Sequence, residues 1–163
     1  MSNQQAVPVS RFNLSDPVHL LATGFGSGLA PVAPGTFGTV AAIPLYLAFV
    51  FSPLYVFIVL TLLTCIVGPY ICGKAASDIG VHDHKAIVWD EFAGMFITLC
   101  FVPFSWTAVG LGFVLFRFFD IIKPWPISYL DKHVHGGLGI MVDDIAAGLA
   151  AGVCLWAIMP FLS

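Results

Sequence analysis

Three long stretches of this chain, residues 40–73, 92–116 and 145–163, contain no Asp, Glu, Lys or Arg. Charge is confined to two short windows. Asp78, Asp83, Asp90 and Glu91 fall within 74–91, and Asp120, Asp131, Asp143 and Asp144 within 117–144, so only Asp16 of the 9 acids lies outside. Arg11 is likewise the one basic residue of 6 outside them. With 59% hydrophobic residues and a mean hydropathy of +0.97, a soluble fold of 163 residues could not hide so much apolar surface. The expectation is a single-domain, all-α integral membrane bundle of about four to five helices with re-entrant or short segments. A charge in apolar surroundings is costly unless it pairs, binds an ion or does chemistry, so the two windows are where function should lie.

A net charge of −3 argues against nucleic acid, which requires a basic face. Cys65, Cys72, Cys100 and Cys154 form no CxxC pair and read as small apolar residues, not as a disulfide framework or zinc knuckle. No signal peptide is evident in the polar N-terminal residues 1–11. No obligate protein partner is expected; the bilayer and a membrane lipid are.

Ser15-Asp16-Pro17 is a helix start, and residues 18–23 form a segment too short to span that Gly24 can stop. Residues 24–39 (GFGSGLAPVAPGTFGT) hold five glycines and two prolines, and no regular helix is expected there. Two readings stay open: a backbone cradle for phosphate helped by Ser27, Thr36 and Thr39, or a tight re-entrant turn. Residues 40–73, interrupted at Ser52-Pro53, read as a helical hairpin in which 54–73 spans comfortably and 40–51 is short unless residues 36–39 extend it. Residues 92–116 break at Pro103 and make either one tilted span or two short helices. We take the second, a hairpin that puts both charged windows on one side, the cytoplasmic one. The last helix is expected to begin at Ile145, directly after Asp143-Asp144.

Asp144, Gly148 and Gly152 share one helical stripe, and Asp143, Ala147 and Ala151 the next. Asp90, Gly94 and Thr98 repeat the arrangement behind Trp89-Asp90-Glu91. Small-residue stripes let membrane helices approach closely, so the acids above them should point into the bundle. Asp90, Glu91, Asp143 and Asp144 together would repel one another without a cation, and hard Mg²⁺ prefers such oxygens. Arg117, Asp120 and Lys123 lie on one face, either to bind phosphate or as an intrahelical salt bridge. His82-Asp83-His84 and His133-Val134-His135 lack further soft ligands for zinc and read as loop histidines that titrate or bind an anion. Residues 135–139 (HGGLG) read as a flexible turn before the acidic helix. Cysteine-phosphatase, DxDx(T/V) and GxSxG signatures are missing.

Residues 24–39, 82–94 (HDHKAIVWDEFAG), 116–127 (FRFFDIIKPWPI) and 135–148 (HGGLGIMVDDIAAG) together resemble the phosphatidylglycerophosphatase A family, in the family's order, across residues 24–152. The resemblance implies a bacterial inner-membrane, Mg²⁺-dependent lipid phosphatase. Its reaction would convert phosphatidylglycerol phosphate to phosphatidylglycerol and inorganic phosphate. The family's acidic positions fall on Asp90, Glu91, Asp120, Asp143 and Asp144, its basic positions on Arg117 and Lys123, and its glycine-rich loop on Gly35, Thr36 and Gly38. Direct attack by water and an aspartyl-phosphate intermediate both remain open. Two rival readings stand beside it: a small ion-coupled transporter with buried carboxylates, and a non-catalytic membrane subunit.

Overall fold

The computed structural model describes residues 8–162; most of the polar N-terminal segment, residues 1–7, and Ser163 lie outside them. Among the described residues there are helices and no strands: α1 (Pro17–Ala22), α2 (Pro34–Phe49), α3 (Leu54–Ile79), α4 (Trp89–Leu99), α5 (Trp106–Ile122), α6 (Ile127–His133) and α7 (Gly136–Ile158). The expected four to five helices thus become seven, five long and two short. Of the two short ones, α1 falls on the short segment already expected, and α6 is the unforeseen element, formed inside the second charged window. Helix α1 starts as its sequence implies, with Asp16 Oδ1 accepting the Val18 N–H at 2.8 Å and Pro17 at the first position.

Three boundaries depart from expectation. The glycine-rich segment is irregular only as far as Ala33. Gly35, Thr36, Gly38 and Thr39 are helical, because Pro34 pre-sets the first turn of α2 and close neighbours repay the glycines. A Cβ on Gly38 would lie 2.7 Å from the Val88 Cβ. Helix α3 runs past Gly73 to Ile79, held by the Lys74–Asp78 pair one turn apart and stopped by Gly80 at φ +75°. Helix α7 begins at Gly136, about two and a half turns before the expected start, so residues 136–139 are its first turn and Asp143-Asp144 lie within it. The glycines are there for contact: a Cβ on Gly137 would sit 1.8 Å from the Pro69 carbonyl oxygen, and one on Gly139 2.4 Å from that of Val134.

The break at Pro103 separates two helices, as the hairpin alternative required. Helix α4 ends at Leu99, and α5 restarts where Ser105 Oγ accepts the Ala108 N–H at 3.0 Å. Helices α4 and α7 form the central pair, with α3 and α5 against α7 and α2 against α4. The pair closes on its small residues: a Cβ on Gly148 would approach the Gly94 carbonyl oxygen to 2.5 Å, and Thr98 Oγ donates to the Gly148 carbonyl at 3.3 Å. Asp90 and Asp144 stand one turn above these glycines, as their stripes implied. The starts of α2 and α4 and the end of α5 meet the acidic turn of α7 at one end of the bundle, which brings both charged windows together. Among the described residues two helices, Leu54–Ile79 and Gly136–Phe161, are long and apolar enough to cross a bilayer.

Candidate active site

At that end opens a cavity of about 610 Å³. Its lining includes Gly35, Asp90, Glu91, Arg117, Asp120, Lys123, Asp143 and Asp144, drawn from four helices. Thr36 and Gly38 do not line it; Gly38 is buried against Val88. Of the expected glycine-rich contacts only Gly35 reaches the cavity, where a Cβ would fall 2.2 Å from Glu91 Oε1. The absent side chain there makes room for a carboxylate.

Glu91, in the first turn of α4, is the most heavily engaged acid. Arg117 Nη1 lies 2.6 Å from both its carboxylate oxygens and 2.6 Å from Asp120 Oδ2, and Thr39 Oγ donates to Glu91 Oε2 at 2.7 Å. The i, i+3 bond between Arg117 and Asp120 is the intrahelical salt bridge that spacing allowed, extended across to α4. Thr39 enters because it follows Gly35 by four residues, a relation that appears only once Pro34 is known to open a helix. Asp90 Oδ1 accepts the Glu91 N–H at 3.0 Å, at the electropositive start of α4.

Lys123 caps α5 in the left-handed conformation (φ +45°), ahead of Pro124. From there its Nζ donates to Asp143 Oδ2 at 2.6 Å and Asp131 Oδ1 at 2.7 Å, tying α5 to α7 and α6. Burial works to lower the Lys123 pKa; the bonds to Asp131 and Asp143 outweigh it and hold the group above the ordinary lysine value, a fixed cation. Asp131 was not singled out from sequence, since its place depends on α6. His82, Asp83, Lys85 and His135 complete the polar lining.

Carboxylate oxygens of Asp120, Asp143 and Asp144 come within 4.8 Å of one another, and Asp90 lines the same cavity. Asp143 Oδ1 and Asp144 Oδ2 are buried without a hydrogen-bond partner. Buried carboxylate oxygens left bare are costly, and an all-oxygen donor set of this kind suits a hard divalent cation. Glu91, by contrast, spends both oxygens on Arg117 and Thr39.

The family model for phosphatidylglycerophosphatase A matches residues 20–159. The chain belongs to this family. The Phosphatidylglycerophosphatase A of Escherichia coli K12 is 52% identical over 149 residues, covering 90% of this chain and 87% of the relative. That of Haemophilus influenzae Rd is 46% identical over 157 residues, covering 95% and 96%. No solved structure matches the chain. The family assignment agrees with the four motifs, and the structure adds that all four supply residues directly to one cavity. Residues 24–39 contribute Gly35 there and otherwise form the closely packed start of α2.

Proposed function

We propose that this protein hydrolyses the terminal phosphomonoester of phosphatidylglycerol phosphate, releasing phosphatidylglycerol and inorganic phosphate. The reading rests on the relatives' named activity and on one observation above all: both charged windows converge in one cavity in which buried carboxylate oxygens are left unpartnered. An ion-coupled transporter would not require that pairing of acids with anchored cations, and neither relative above is named as one.

Asp120, Asp143 and Asp144, with Asp90 beside them, are the residues that would hold Mg²⁺. When bound there, the ion would supply Lewis-acid polarisation of the phosphoryl group and of a water molecule. The chain's own residues prepare the site. Lys123 holds Asp143 by Oδ2 and leaves Oδ1 free, while Arg117 fixes Glu91 and Asp120 on the cavity lining, where its guanidinium would meet a phosphate once a cation offsets the acids.

A multi-pass membrane protein with its active site at the cytoplasmic face of the bacterial inner membrane accords with this substrate. Helix α3 leaves Leu62, Leu63, Ile66 and Tyr70 exposed along its length, and buries less of its apolar stretch (28%) than α7 (56%). Such a surface is suited to lipid. Lys74, Lys85, Lys123 and Lys132 all belong to the segments at the cavity end, the asymmetry that favours a cytoplasmic face. The head group would meet the cavity while the acyl chains stay in the bilayer. The test is phosphate release from phosphatidylglycerol phosphate in mixed micelles by purified protein, with Mg²⁺ and with chelator. Release that depends on Mg²⁺ is expected; none in either condition overturns the assignment, and release that survives chelation overturns the metal.

A further inference from the structure

We propose that His135 is the general acid of this site, donating a proton to the glycerol oxygen as the terminal phosphate leaves; the inference rests on the phosphatase reading above. Of the two His-x-His motifs, His82 and His135 line the cavity. His133 instead stacks on Tyr129, with ring centroids 4.0 Å apart, and its Nδ1 meets the Tyr129 carbonyl at 2.8 Å. His84 is buried, its Nδ1 accepting the Ala86 N–H.

His135 occupies the N-cap position of α7, yet its side chain makes no capping bond. His82 does that work: its Nε2 accepts the Gly136 N–H at 2.8 Å, across 54 residues. On the other side, the Val134 N–H is held by the Leu130 carbonyl at 2.9 Å. The backbone of His135 is therefore anchored on both sides while its ring stays exposed on the cavity lining.

The other candidate donors are committed or ill suited. Arg117 is bound to Glu91 and Asp120, and Lys123 to Asp131 and Asp143. His82 uses Nε2 as an acceptor. Lys85 is an amine, and amines release a proton near neutrality far less readily than an imidazole. Position agrees with chemistry. The phosphoryl group would lie beside Arg117 and the cation that the buried carboxylates would hold, so the leaving oxygen, which leads away from them to the lipid body, would be within the part of the lining where exposed His135 stands.

In the step, a water oxygen bonds to phosphorus as the bond from phosphorus to the glycerol oxygen breaks. The bonding pair passes to that oxygen, which takes the imidazolium proton. The water proton passes to a site carboxylate and on to solvent, and the imidazole regains its proton from solvent. His82 is then a positioning residue, acting through Gly136.

The test compares phosphatidylglycerol phosphate with its analogue bearing sulfur in place of the bridging glycerol oxygen, since a thiolate leaves without protonation. His135→Ala and His135→Gln should lower kcat on the oxygen substrate by about 10²- to 10⁴-fold with little change in KM, the range of general acid catalysis. On the sulfur analogue the same variants should stay within about tenfold of the unaltered protein. His82→Ala should show a smaller loss with the same bias toward oxygen. Equal losses on both substrates, or undiminished turnover of the oxygen substrate, overturn the proposal. Failure of the unaltered protein to release phosphate from either compound would instead strike the phosphatase reading itself. Because His135 is exposed, neither variant empties a core site, and an unchanged thermal midpoint checks that.

Discussion

Gly35 and Asp144 show opposite ways in which single residues serve this cavity. At Gly35 the function is an absence: a methyl group would collide with the Glu91 carboxylate that Arg117 and Thr39 hold in place. Gly35→Ala should push Glu91 and Arg117 aside and lower kcat/KM by about a hundredfold, as sub-ångström to ångström misplacements at such sites do. Steady-state assay beside Gly35→Ser, which should be no better, measures it. At Asp144 the proposed role rests on a buried carboxylate oxygen left without a hydrogen-bond partner. Asp144→Asn retains the shape and removes the charge, so it should cost at least about a hundredfold in kcat while the protein still folds. Helical circular dichroism and phosphate release, measured on one preparation, test that; substantial activity would dismiss Asp144 as a site acid. Lys123 acts through its partners. Lys123→Met would strand the Asp143 carboxylate and free the end of α5 from α6 and α7, a loss of about 3–5 kcal/mol if the pair is fully desolvated. Since Lys123 is half-buried, a smaller fall in thermal midpoint is expected than that figure alone implies.

At the scale of helices, the contact between α4 and α7 sets the geometry of the acids, because Asp90 and Asp144 each lie one turn from the glycine that makes the crossing. Gly148 faces the backbone of Gly94, so no rotamer change can absorb a side chain added at Gly148. Gly148→Val should destabilise the protein by about 1–3 kcal/mol through overpacking and separate the acidic turns. The midpoint of thermal unfolding in detergent and the rate of phosphate release should fall together; an unaffected variant would show that the crossing is not what positions the carboxylates. The stripe of small residues was legible because helical periodicity does not depend on tertiary contacts. The first turns of α2 and α7 were not. Glycine runs argue against helix by propensity, and here close packing against Val88, Glu91 and Pro69 overrode it.

For the whole molecule, the alternation of long helices puts both charged windows at one end and the turns at Ser52-Pro53 and Pro103 at the other. In a membrane this predicts sidedness. In a protein freed of Cys65, Cys72, Cys100 and Cys154, cysteines at Ser77 and Ser128 should react with an impermeant reagent from the cytoplasmic side, and one at Ser52 only from the opposite side. Ser77 and Ser128 labelled from different sides would contradict a single active site built from both windows.

The sequence alone determined that this chain is helical, where its charges lie, which small residues face a neighbouring helix, and, through four motifs, which family it joins. Those properties are local: hydropathy, periodicity and short motifs need no knowledge of what packs against them. Only the tertiary structure decided that Glu91 is spent on Arg117 and Thr39, that Asp120 joins Asp143 and Asp144, that Asp131 anchors Lys123, and that His82 caps the helix beside His135. Each of these joins residues from different helices or from turns far apart in the chain. Which acids keep unpartnered oxygens and which are paired with a neighbour depends on distances that exist only after the helices have packed.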